Sequence, residues 1–174
     1  MEMDRIDTIR AQWREALPDL DTSPAEVLGR IYRISHLVAP TIEAVMDSFG
    51  LDRGEFDVLA SLRRAGAPFR LSPTFLYQNL LISSGSLTHR LGRLERAGMI
   101  ERLPSPDDGR SLHVQLTEKG RTTVEQAYAA DMAAEGALIR GLNDADAQTL
   151  AQLLRKATLI IERNLGAEVV PPSP

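Results

Sequence analysis

The sequence predicts a mainly α-helical fold with one small β-hairpin. Three observations carry that reading. Apolar residues recur at spacings of three and four along most of the 174 residues, the period of helices that bury one face. Start signals for helices punctuate the chain: Asp52 with Glu55, Ser23 with Glu26, and Ser72 directly before Pro73. One stretch breaks the helical rhythm. Residues 99–103 form a short apolar/charged run and residues 112–116 alternate apolar and polar side chains, on either side of 104–109 (PSPDDG), whose composition is that of a turn.

Residues 3–17 carry Ile6, Ile9, Trp13 and Leu17 on one side of a short amphipathic helix that Pro18 ends. Ser23 and Glu26 form a cap and capping partner around Pro24, opening a second helix that runs to about residue 49. Its apolar side is Val27, Ile31, Ile34, Val38, Ile42, Val45 and Phe49; Pro40 within it predicts a kink or break near Val38. Asp52 and Glu55 start a third helix, apolar along Phe56, Leu59, Ala60 and Leu62, and residues 66–71 read as a loop. Ser72 and Pro73 then begin a short helix through Leu80.

Residues 81–83 leave only a tight turn before the next helix, whose Leu87, Leu91 and Leu94 form a seam sunk into a core. Its other side carries Gly85, His89, Gly92, Arg93 and Arg96, which have no core-filling volume. The hairpin follows, with Arg110 at its tip, and Thr117 caps a helix that continues from Glu118. Helix, turn, helix and arginine-tipped hairpin make a winged helix-turn-helix over 51–120. Long helices over 123–142 and 144–165 complete the chain, the second with a broad apolar face of Leu150, Leu153, Leu154, Ala157, Ile160 and Ile161. The expected organisation is one domain over 1–166, with 1–50 and 121–166 as dimerisation helices and a disordered, proline-rich tail over 167–174. The terminal helices carry more apolar surface than one small winged module covers. A larger monomeric core and a dimer interface both answer that surplus, and the dimer also supplies two reading heads.

Composition narrows the function. The net charge of −4 argues at first against a nucleic-acid partner, but residues 81–113 hold five arginines against four carboxylates, a local +1. Only a local patch has to face phosphate, and one so modest predicts weak binding by a single copy. Cysteine is absent, which excludes disulfides, thiolate metal sites and thiol redox sensing. No run approaches the roughly 18 apolar residues of a membrane span. The charged start MEMDRIDTIR lacks a signal-peptide core, so the expected location is the cytoplasm. His36, His89 and His113 lack metal-ligand spacing, and no cofactor is expected. No nucleophile stands beside a base and no glycine-rich phosphate loop is present, so an enzyme is not expected. The rival from another class is a winged helix used only as a dimerisation module, without DNA binding.

Residues 106–110 (PDDGR) with 114–120 (VQLTEKG), and 93–102 (RLERAGMIER), resemble the wing, the "VxLTxxG" exit and the "RLExxGLIxR" passage of the MarR family of bacterial transcription regulators. The resemblance implies a homodimer on a pseudo-palindromic operator in double-stranded DNA, released when a small ligand binds between reading heads and dimer helices. Gly109 stands where many relatives carry a second basic residue at the wing tip. A finer resemblance, to the branch with urate-responsive regulators, rests on Trp13 in an added N-terminal helix and on 54–59 (GEFDVL). It implies a ligand set of Trp13, Asp57, Arg90 and Arg102, and a small aromatic or purine-like anion as the ligand of a repressor.

The residues can also be weighed directly. On a helical wheel Arg90 falls beside the leucine seam, where it must snorkel, pair internally or meet an anion. Asp57 flanks the buried side of its helix, so an internal Asp57–Arg90 or Asp57–Arg102 bridge is expected, either as plain structure or as a switch that an anion opens. Trp13 reads as core or as ligand contact. For DNA the candidates are Ser84, Ser86, Thr88, His89 and Arg93 on the reading helix and Arg110 on the wing; hydroxyls suit phosphates at a helix start or base edges, and a wing arginine suits the minor groove. The plainer reading of Arg93 and Arg96 is a solvated helix face.

Overall fold

A computed structural model of the chain describes residues 2–104 and 112–166. In chain order these form α1 (Arg5–Ala16), α2 (Pro24–Ser48), α3 (Arg53–Arg64), β1 (Arg70–Leu71), α4 (Pro73–Asn79), α5 (Ser84–Arg96), β2 (Ile100–Pro104), β3 (Leu112–Leu116), α6 (Glu118–Leu138) and α7 (Asp144–Leu165). The fold is mainly α with a small antiparallel sheet, as the apolar periods predict. The chain divides into two compact units, Met1–Ala44 and Val45–Pro174, with the boundary inside α2.

In the first unit α1 begins at a capping box that composition alone did not flag. Asp4 accepts the N–H groups of Ile6 and Asp7 at 2.8 and 2.9 Å, and Asp7 returns the bond to the Asp4 N–H at 3.1 Å. Arg30 of α2 closes on both carboxylates at 2.7 Å. The expected Ser23 cap does not form. The Ser23 hydroxyl donates to Asp21 at 2.9 Å, and Glu26 turns instead to the Arg10 guanidinium. A carboxylate and a cation prevail over a neutral cap, because charge-assisted bonds are the stronger ones. The α2 helix continues through Pro40 without the expected break, giving up the N–H bond that residue 40 would make to His36. Along its apolar stripe Ile42 is buried, whereas Val27 and Ile34 are more than half exposed.

In the second unit a core of Met46, Phe56, Val58, Leu59, Leu62, Leu76, Leu87, Leu94, Val114 and Val124 is sealed from solvent. Leu87, Leu91 and Leu94 deliver α5 to this core as their spacing predicts, against α3, α4 and β2. The sheet has the order β1-β3-β2, with Ile100 opposite Leu116 and Arg102 opposite Val114. Residues 70–71, read from sequence as loop, pair with Gln115 and Val114. Two residues are too few to show an alternation, so only the neighbouring strand makes them a strand. The predicted caps Asp52, Ser72 and Thr117 all hold their helices. Long α7 buries none of its residues; Leu150, Leu153, Leu154, Ile160 and Ile161 are all at least 40% exposed. No helix among the described residues is long and apolar enough to cross a membrane. The expected wing tip and the expected tail, 167–174, lie outside the described residues.

Candidate functional site

The reading helix is set up by short-range chemistry. Asn79 ends α4, Leu81 takes a left-handed φ of 52°, and Ser83 caps α5 by accepting the Ser86 N–H at 3.1 Å. Burial of Leu87, Leu91 and Leu94 on one side leaves Ser84, Thr88 and His89 exposed on the first turns, with Ser86 half-buried. The Thr88 hydroxyl donates back to the Ser84 carbonyl at 2.8 Å, so its oxygen remains free to accept. The result is a helix start presenting hydroxyls, an imidazole and backbone dipoles, a surface suited to phosphate and base edges. Arg110, the sixth candidate for this surface, lies outside the described residues.

Arg93 is placed differently from its neighbours. Though 44% exposed, its guanidinium pairs with Glu55 at 2.7 Å and approaches Asp52 at 3.4 Å, both at the start of α3. Glu55 was legible in the sequence only as a capping partner, a role it keeps by accepting the Asp52 N–H at 2.9 Å. Its burial, and its use as the counter-ion of Arg93, depend on how α5 crosses α3. Arg96, by contrast, is exposed and, among the described residues, donates only to the Gly92 carbonyl of its own helix.

Of the residues assigned to a ligand, Asp57, Arg90 and Arg102 lie in the second unit and are half-buried. The expected bridge to Asp57 is not made: among the described residues no ion pair to Asp57 forms, and Arg102 stands 3.1 Å from Glu95 instead. The register explains the exchange. Arg102 sits opposite Val114 on the core face of the sheet, under α5, where Glu95 is the nearer carboxylate. The contact with Glu95 is an ion pair and not a hydrogen bond: the buried Arg102 Nε makes no hydrogen bond among the described residues. Arg90 lies across the first turn of α3, donating to the Gly54 carbonyl at 3.5 Å; a Cβ on Gly54 would overlap its guanidinium. Burial raises the Asp57 carboxyl above the ordinary aspartate range, against the opposing fields of Arg53, Arg90 and Arg64. Arg53 and Arg64 thus join the surroundings of Asp57, and sequence spacing (one turn before, two after) could have shown it.

Trp13, in the first unit, is not core. It is 51% exposed and lines an open apolar groove of about 550 Å³ with Ile6, Ile9, Leu17 and Leu20, bordered by Arg10.

Comparison with known proteins follows the same lines. A model of the MarR family matches residues 49–111. The HTH-type transcriptional regulator PecS of Dickeya dadantii is 43% identical over 115 residues, covering 66% of this chain and 69% of that one. Among solved structures, a mutant of Escherichia coli MarR complexed with operator DNA superposes with a TM-score of 0.65 at 28% identity, covering 83% of this chain and 96% of that one. Bordetella bronchiseptica BpsR, whose DNA binding is regulated by 6-hydroxynicotinic acid, shares the fold, with a TM-score of 0.64 at 24% identity over 77% of this chain and 94% of that one.

Proposed function

The chain belongs to the MarR family of DNA-binding transcriptional regulators, and from that premise we propose that it is a homodimeric repressor released from its operator by a small anionic ligand. It is a regulator and not an enzyme; its relatives are named as HTH-type transcriptional regulators and repressors. The observation that carries the proposal is the α5 start, where Ser84, Ser86, Thr88 and His89 face outward above a buried leucine seam. Residues 51–120 are the reading module, with Arg110 as its minor-groove contact, and 1–50 and 121–166 supply the dimer helices. Two heads related by a two-fold axis read half-sites about one turn, roughly 34 Å, apart. The compartment that fits this work is the cytoplasm.

The ligand reading belongs to the branch that includes urate-responsive regulators. An aromatic or purine-like anion meets the charge of Arg90 and Arg102, in competition with the field of Asp57 at Arg90 and with the Glu95 carboxylate at Arg102, and the resemblance assigns its aromatic contact to Trp13. Support comes from two arginines with donor capacity left over. Among the described residues Arg90 has only a long bond to a carbonyl, and Arg102, though paired with Glu95, keeps a buried Nε without a hydrogen bond. An anion would satisfy both through charge-assisted bonds.

The deciding experiment is a gel shift with duplexes enriched by this chain from a randomised library, repeated across salt. Binding should weaken steeply with salt, with log K falling by about 0.9 per phosphate contact per decade. Urate, salicylate and 6-hydroxynicotinate are then titrated against the shifted band and against the emission of Trp13, the only tryptophan. Failure to enrich any duplex contradicts DNA reading. Emission and band untouched by all three anions contradict the ligand reading alone.

A further inference from the structure

Arg93 occupies the reading helix, yet its guanidinium is used inside the protein. Nε lies 2.7 Å from Glu55 Oε1 and Nη2 donates to Glu55 Oε2 at 3.2 Å, a side-on bidentate pair. Nη1 is 3.4 Å from Asp52 Oδ2. The Glu55 side chain is only 4% exposed, and a carboxylate buried that far requires a cation. Among the described residues Arg93 is the one cation within ion-pair distance of it. Three residues earlier on α5, Arg90 spans the neighbouring Gly54. One turn of α5 therefore grips the first turn of α3 from Asp52 to Glu55.

We propose that Arg93 is a positioning residue for DNA reading: its pairing with Glu55 and Asp52 fixes the roll of α5 on α3, and so fixes where Ser84, Ser86, Thr88 and His89 stand. The proposal rests on the reading of α5 as the helix that meets DNA. The leucine seam alone attracts without direction, so it tolerates small rotations of α5. A bidentate arginine–carboxylate pair is directional and removes that freedom. Base-edge hydrogen bonds need their donors held to about 0.5 Å, so the pair sets sequence selectivity without touching a base.

The alternative, Arg93 as a phosphate contact, makes the opposite forecast for Glu55. Neutralising Glu55 would then free a cation and tighten binding to every duplex. Positioning requires instead that selectivity fall.

The test uses the full chain, the duplex it enriches from a randomised library, and a scrambled duplex of the same composition. Wild type, Glu55→Gln, Arg93→Lys and the double variant are compared across salt, with a thermal melt of each. Gln at 55 still accepts the Asp52 N–H, so the start of α3 keeps its capping bond. Each single variant should bind the enriched duplex about tenfold more weakly, the cost of one poorly met base contact. Binding of the scrambled duplex and the salt slope should stay as in wild type, whereas a lost phosphate contact would lower the slope by about one. The double variant should lose no more than the worse single, because both break one interaction. Equal or tighter binding of both duplexes by Glu55→Gln overturns the proposal. Should Glu55→Gln melt below the assay temperature, Arg93→Lys decides: undiminished selectivity with lysine overturns it. A wild-type chain that enriches no duplex removes the DNA reading itself, and the proposal with it.

Discussion

Gly120 shows what a single missing methyl does in this molecule. Its N–H is capped by Thr117 Oγ1 at 3.1 Å, and a Cβ there would overlap the Met99 carbonyl, which accepts the Thr117 N–H at 3.1 Å. The obstacle is backbone and cannot swing aside. Gly120→Ala should therefore cost about 1–3 kcal/mol of stability by overpacking, although alanine is the better helix former by about 1 kcal/mol. Urea denaturation reads this directly, and an unchanged midpoint would refute the close approach. Asp57 makes a different kind of forecast. Burial raises its pKa in the fold, opposed by Arg53, Arg90 and Arg64. The folded state then holds the proton more tightly than the unfolded one. The stability this lends is full below the unfolded pKa and is lost as pH rises through the folded pKa. Asp57→Asn should thus be neutral to slightly stabilising near pH 7 and should flatten the stability profile just above the ordinary aspartate pKa of about 3.9. Denaturation midpoints across that acidic window check it; a variant profile parallel to wild type contradicts it.

At the scale of elements, the turn between α4 and α5 is a strained link. Leu81 holds a φ of 52° with 84% of its surface exposed. A left-handed conformation costs an ordinary side chain roughly 1–2 kcal/mol, and Leu81 recovers none of that by burial. Leu81→Asn, whose short amide tolerates this region, should raise stability by about 0.5–1 kcal/mol without moving the reading helix. A thermal melt shows the first and the gel shift the second; a lowered melting temperature would mean that Leu81 has a partner absent from the single chain. Helix starts here follow local rules at Asp52, Ser72 and Thr117, where each capping oxygen still accepts its backbone N–H. Ser23 departs from its rule because Asp21 and Arg10 offer charged partners to both halves of the box.

At the scale of the whole molecule, the exposed face of α7 is the feature that a single chain leaves unexplained. A helix with Leu150, Leu153, Leu154, Ile160 and Ile161 in water exceeds the scattered apolar exposure of ordinary surfaces. In the proposed dimer each such side chain, 40–60% exposed in the single chain, would gain roughly half of the about 1.5–3 kcal/mol that full burial gives. Leu153→Glu with Ile160→Glu leaves the buried core untouched, since neither residue belongs to it and they are 60% and 44% exposed. The doubly substituted chain should remain helical and run as a monomer by light scattering, where wild type runs at twice the chain mass. It should also bind DNA far more weakly, having lost its second head. A wild-type monomer at micromolar concentration, or a double variant that stays dimeric, contradicts this use of α7.

What the sequence determined by itself was everything carried by neighbours along the chain. The leucine period of α5, the alternation of β3, the caps at Asp52, Ser72 and Thr117, and the passages around 93–102 and 114–120 are local patterns, and they identified both fold and family. Helical geometry likewise put Arg90 beside the leucine seam and not among the outward side chains. Partnership was another matter. Asp57 was expected to meet Arg90 or Arg102, but the crossing of the sheet under α5 brings Glu95 to Arg102 and leaves Asp57 in the field of three arginines, none within ion-pair distance. Arg93 looked like a free cation until α5 was laid against α3, where the capping residue Glu55 was already waiting, buried. Residues 70–71 became a strand only because β3 lies beside them. Ion pairs and short strands form between segments far apart in sequence, and which charge meets which depends on packing angles and register. A period of three to four residues sets which face of a helix is buried; only the tertiary contact sets what that face meets.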